Sequence, residues 1–126
     1  MKLHADKLDF QSITAYGPGW IAVNGQRHTS SLVLASTGAP QPWNCHRFED
    51  LSEAHFEALL SLSQETPELV VFGSGSRLRF VRPAWVAGLM QKRIGLETMD
   101  TAAAGRTYNI LASEGRRVVA ALLLES

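Results

Sequence analysis

The chain has a single cysteine, Cys45, which excludes an internal disulfide and a cysteine-based zinc site. Charge of one sign is lacking too. Twelve Lys and Arg balance twelve Asp and Glu, so no whole-molecule field draws in nucleic acid or an anionic membrane, although a local patch stays open. Long apolar runs are absent: the longest, Val118 to Leu124, is seven residues, against roughly 20 for a membrane-spanning helix. Such a run suits a strand buried on both faces. The opening MKLHADKLDF is broken by Asp6, Lys7 and Asp9, unlike a secretory signal, and lacks the Arg-rich character of a transit peptide. These absences lead us to expect a bacterial-type cytoplasmic protein with no direct membrane insertion and no nucleic-acid partner. What is present, 126 residues with 45% hydrophobic and 19% charged, makes one globular domain over residues 1–126.

The first third reads as strands. Ile13 and Ala15 lead to the turn Gly17, Pro18, Gly19, and Trp20 to Val23 then runs to Asn24-Gly25, a type I′ hairpin signal. The chain returns through Gln26 to His28 and on to Leu32, Val33 and Leu34. In the loop STGAPQPWNCHRF, Pro40 and Pro42 argue against regular pairing, while Trp43 and Phe48 are candidates to pin it to the core. Ser52 caps a helix carrying Phe56, Leu59 and Leu60, which Thr66 and Pro67 stop. Beyond it the pattern is strand Leu69–Phe72, a helix from Pro83 to about Arg93 with Gly95 as left-handed cap, and strand Leu96–Met99. A helix capped by Asp100 or Thr101 and ended by Gly115, then strand Arg117–Leu123, complete it. Two crossovers of this length predict parallel strands and an open α/β sheet.

Several motifs invite chemistry. Gly73, Ser74, Gly75 and Ser76 after a strand could hold an anion, but Leu78 stands where a dinucleotide fingerprint needs its third glycine, and no Walker lysine follows. Ser74 lacks the downstream histidine of an α/β-hydrolase, since His4, His28, His46 and His55 all precede it. Cys45 and His46 are neighbours, which an extended segment points to opposite sides. Between Glu68 and Glu97 every charge is basic, namely Arg77, Arg79, Arg82, Lys92 and Arg93, and Leu78 and Phe80 alternate with the first arginines. An extended segment would bury the apolar pair and present guanidinium groups, as a solvated edge or as a docking surface for an acidic partner. On the last helix, Ala104, Tyr108 and Leu111 share one face and Arg106, Asn109 and Ser113 another. Arg106 is expected to pair with Glu97 or Glu114, or to order the loop Gly73–Ser76 through its guanidinium fork. Gly105 in that helix costs about 1 kcal/mol relative to Ala, so it marks a close approach or a tolerated weakness.

The stretch LVVFGSGS, then Pro83, then RIGLETMDTAAAGRTYNILASEGRRVVAALL resembles a family of small domains of unknown biochemical function from bacteria, archaea and mitochondria. That family includes a mitochondrial respiratory complex I assembly factor and a mammalian adipogenesis-associated domain protein. The matching positions are Gly73, Gly75, Pro83, Gly95, Glu97, Met99, Thr101, Ala104, Arg106, Thr107, Tyr108, Asn109, Leu111, Glu114, Gly115 and Arg116. Many relatives carry cysteine where this chain has Gly105, so no thiol chemistry transfers. The resemblance implies a single α/β domain with a central mixed sheet, helices packed on it and an N-terminal β-hairpin extension. It also implies a protein partner in membrane-complex biogenesis, and no established reaction.

The expectation is a non-enzymatic protein-binding or assembly-helper domain with no catalytic residues, no metal and no cofactor. Its partner surface would combine Arg77, Arg79 and Arg82 with Trp43. The alternative is a small-molecule- or anion-binding protein, which leaves an enzyme open, with a site at the strand carboxyl ends built from Gly73, Ser74, Gly75, Glu97, Arg106, Tyr108 and Asn109.

Overall fold

The computed structural model describes residues 10–63 and 65–125; His4 lies outside them. The N-terminal residues form a three-stranded antiparallel sheet of β1 (Ile13–Gly17), β2 (Trp20–Val23) and β3 (Gln26–His28), in that order. Asn24 and Gly25, with φ of +50° and +86°, make the tight turn that their identity predicts. The return does not continue into the next apolar run, because β4 (Leu32–Ala35) belongs to a second sheet. That sheet has five strands in the order β5, β4, β8, β6, β7, where β5 is Gln41–Pro42, β6 Leu69–Gly73, β7 Gly95–Met99 and β8 Val118–Leu122. β6 pairs in parallel with both β7 and β8, β4 runs antiparallel to β8, and the sheet is therefore mixed. Pro42 pairs after all. It stands on the sheet's outer strand, where a missing donor costs nothing.

Helix α1 (Glu53–Leu62) and the short α2 (Ala87–Gln91), entered by a 3-10 turn at Pro83–Val86, cover one face of the sheet. The N-cap of α1 is a reciprocal box in which the Ser52 N–H donates to His55 Nδ1. Helix α3 (Thr101–Ser113) covers the other face together with the three-stranded sheet. Two cores result: Trp43, Phe56, Phe72 and Leu89 fill the first, and Ile21, Leu34, Val71 and Tyr108 fill the second. The closing turns of α2 and α3 share one geometry, in which the residue after the cap is left-handed and the next N–H reaches back five residues: Ile94 to Leu89, and Arg116 to Leu111. In α3 that left-handed residue is Gly115. In α2 it is Arg93, at φ +59°, and not the expected Gly95, which opens β7 instead.

Candidate functional site at the strand carboxyl ends

The parallel strands β6, β7 and β8 end at one rim, and Thr101 ties the three ends together. Its hydroxyl accepts the Gly75 N–H at 2.8 Å and donates to the Leu123 carbonyl at 2.8 Å, and its own N–H donates to the Gly75 carbonyl at 2.8 Å. Helix α3 therefore starts pressed against β6, and a Cβ at Gly73 would stand 2.8 Å from the Thr101 Cα. Only glycine fits there. Asp100 caps the helix by accepting the Ala103 N–H at 2.9 Å.

A cleft of about 440 Å³ opens at this rim. Its walls come from the β1–β2 turn with Tyr16 and Trp20, from Gly75 and Ser76, from Asp100 to Ala102, and from Leu123 to Glu125. The location, outside the carboxyl ends of parallel strands with α2 and α3 on opposite faces, is where open α/β sheets take ligands.

Of the expected site residues, Gly73, Ser74 and Gly75 lie at this rim, and Gly75 lines the cleft. Ser74 is fully buried; its hydroxyl donates to the Arg77 carbonyl at 2.7 Å and accepts the Arg79 N–H at 2.9 Å, which fixes the following loop. Glu97 is exposed on the outer strand β7, away from any pairing with Arg106. Arg106 is exposed on α3. It donates to the Tyr16 hydroxyl at 2.7 Å with its guanidinium over the Tyr16 ring, so the pairing with Glu97 or Glu114 and the ordering of the Gly73–Ser76 loop are not what it does. Asn109 completes the free edge of β1 as a surrogate strand: its Oδ1 accepts the Ile13 N–H at 2.9 Å and its Nδ2 donates to the Ile13 carbonyl at 2.8 Å. Tyr108 is fully buried and donates to the Gln11 carbonyl at 2.6 Å, and burial pushes its phenol up from the ordinary value. Tyr108 and Asn109 thus hold the N-terminal strands to α3, and neither opens on the cleft.

The partner surface needs two corrections. Trp43 is 3% exposed, packed edge-to-face on Phe56 and Phe72 with its indole N–H on the His55 carbonyl, so it is core. The alternation in the loop after β6 is inverted: Phe80 is 71% and Leu78 50% exposed, whereas the Arg79 side chain is 15% exposed. Arg79 donates to the Ser74 carbonyl through Nε at 3.1 Å and Nη2 at 2.6 Å, reaches Glu125 Oε1 at 2.5 Å, and lies over the Phe48 ring. Glu125 also accepts the Phe48 N–H at 2.8 Å. Burial pushes the Glu125 carboxyl up, but the Phe48 N–H and the Arg79 guanidinium outweigh it and hold the group below the ordinary carboxylate range. A segment off the sheet edge has no partner strand to enforce alternation, and the acceptors at Ser74 and Glu125 decide which side turns in. Glu125, Thr101 and Tyr16 are the site residues that sequence reasoning missed as a set. Thr101 stood in the matching pattern, but an isolated acid and an isolated tyrosine carried no local signal.

Cys45 is buried, its thiol donating to the Arg47 carbonyl at 3.0 Å and pushed up by desolvation. A buried thiol held in its neutral form is a packing group.

Residues 13–123 match the family described as "Protein of unknown function (DUF498/DUF598)". The chain belongs to that family. It is 36% identical over 88% of its length to an uncharacterized protein of Rhodobacter capsulatus, of which it covers 82%. It is also 32% identical to the Bos taurus protein named NADH dehydrogenase [ubiquinone] 1 alpha subcomplex assembly factor 3, over 88% of this chain and 59% of the bovine protein. The chain thus spans less than two-thirds of that relative. The crystal structure of a Bordetella parapertussis protein superposes with a TM-score of 0.86 at 39% identity, covering 92% of this chain and 97% of that one. A Bordetella pertussis protein described as a Mth938-like domain superposes at 0.84 with 33% identity, over 100% and 94%. These matches bear out the mixed α/β fold with its N-terminal hairpin.

Proposed function

We propose that the domain is a non-enzymatic assembly helper that binds a client protein through the loop Ser76–Arg82. The observation that carries the reading is the inverted loop. Water-facing Phe80 and Leu78 offer apolar area that a partner can bury, and the anchored Arg79 between them fixes the backbone that presents them. Arg77 and Arg82, exposed on the same loop, suit a client segment whose apolar side chains are flanked by carboxylates. The Bos taurus and Xenopus tropicalis relatives named for NADH dehydrogenase assembly support a subunit of that complex as the client.

The test is complementation. In the organism that encodes the chain, deletion of its gene is expected to lower assembled NADH dehydrogenase, with the wild type restoring it and a Leu78→Asp, Phe80→Asp double variant failing to do so. Both substitutions are on exposed side chains, so the variant folds and its failure reads the surface. Full rescue by the folded double variant would overturn the surface assignment, and an unchanged complex in the deletion strain would overturn the client.

A further inference from the structure

The loop and the cleft are separate features, and the client reading uses only the first. Pockets of roughly 300–1,000 Å³ enclose small molecules, and this one falls in that class at about 440 Å³. Its walls are apolar along Pro18, Trp20, Ile21, Ala102, Leu123 and Leu124.

Its polar groups are unequal in what they have left to give. The two carboxylates in the wall differ: both oxygens of Glu125 accept, from Arg79 and Phe48, whereas Asp100 caps α3 through Oδ1 alone, its charge set against the helix N-terminus. Tyr16 is different. Its oxygen accepts from Arg106, so its own O–H is free to donate, and the cation behind it belongs to none of the ion pairs among the described residues. The Ser76 hydroxyl and the first-turn N–H of Ala102, which lacks an intrahelical acceptor by position, add donors in the same cleft. An apolar trough with donors from Tyr16, Ser76 and Ala102, the first backed by a guanidinium that joins no ion pair among the described residues, matches an apolar body ending in an acceptor of negative charge.

We propose that the cleft is a binding site for a small aliphatic or aromatic carboxylic acid, with its carboxylate on the Tyr16 hydroxyl that Arg106 holds from behind and its apolar body along Trp20, Ile21, Leu123 and Leu124. Arg106 is here a positioning residue for the Tyr16 hydroxyl and a source of charge, which explains why an exposed arginine is spent on a phenol.

The probes are decanoate, decanol and decylamine, each titrated into the full chain below its micelle concentration and read by amide chemical shifts. Decanoate is expected to bind and to shift Tyr16, Ser76, Ala102 and Leu124, with decanol at least tenfold weaker and decylamine weaker still. Tyr16→Phe and Arg106→Gln should each weaken decanoate by about tenfold, the value of one charge-assisted hydrogen bond. Ala102→Leu should fill the trough and abolish binding, and Ser76→Phe, at an exposed position, is a second plug whose fold is secure. The Leu78→Asp, Phe80→Asp variant should bind decanoate as the wild type does, which separates this site from the client surface. Equal affinity for the three probes, no binding of decanoate, or shifts that map away from the cleft would each overturn the proposal.

Discussion

Arg79 and Arg106 each bind a wall residue of one cleft, Glu125 and Tyr16, and are themselves held by opposite means. Arg79 is turned in, with its fork on a backbone carbonyl, a carboxylate whose other oxygen binds Phe48, and an aromatic ring beneath it. Arg106 is turned out, with a single hydrogen bond to a phenol on the neighbouring sheet. The ordering of the Gly73–Ser76 loop expected of Arg106 is carried out by Arg79. What the difference teaches is that partners, more than periodicity, place a guanidinium: the loop after β6 supplies buried acceptors, and the outer face of α3 supplies none.

The largest expected effect breaks the inward arginine. Arg79→Ala leaves the Ser74 carbonyl and Glu125 without their donor and removes the cation from Phe48, and it is expected to cost about 2–3 kcal/mol. That is below the figure for a fully buried pair, because both side chains keep some water contact. Urea unfolding measures it. A cost under about 0.5 kcal/mol would show that the loop holds without its arginine and would remove the contrast with Arg106.

The second test sharpens the same side through pH. The folded Glu125 carboxyl is lowered, so its contribution is fully present above the unfolded carboxylate pKa and is lost as pH falls through the folded value. Stability should therefore decline on acidification from roughly pH 5 downward, and Glu125→Gln should flatten that limb while lowering stability at neutral pH by about 1 kcal/mol. An acid limb equally steep in the variant would assign the decline to other carboxylates, of which Glu68, lowered by the Arg117 N–H and by Arg116, is the first to examine.

How much of this was legible follows the same division. The strand and helix order of the second half, the Asn24-Gly25 hairpin, the Ser52 and Asp100 caps and the glycine-rich turn at the strand ends are local signals, and each stands where the sequence puts it. The separation of β3 from β4 into two sheets, the edge pairing at Pro42 and the burial of Trp43 depend on contacts far along the chain. So does the site. Glu125 meets Arg79 across 46 residues and Tyr16 meets Arg106 across 90, separations at which spacing says nothing. Gly105 left two readings open, a close backbone approach or a tolerated weakness; its Cβ would meet only the Ile13 side chain, the tip at 3.0 Å and able to give by the little required, so no backbone approach demands glycine there.

The smallest expected effect is on the outward arginine. Arg106→Lys keeps the charge and can still donate one hydrogen bond to the Tyr16 hydroxyl, and its surroundings are open to water, so no buried partner is stranded. The expected change in unfolding free energy is within about 0.5 kcal/mol, in contrast to the loss at Arg79. The seam between α3 and the three-stranded sheet has other ties that carry it: the two hydrogen bonds of Asn109 to Ile13 and the buried hydroxyl of Tyr108 on Gln11. Thermal and urea unfolding of this variant decide the matter. A loss of more than about 1 kcal/mol would mean that the Tyr16 contact stabilises the seam, and that the two arginines differ in exposure without differing in what they hold.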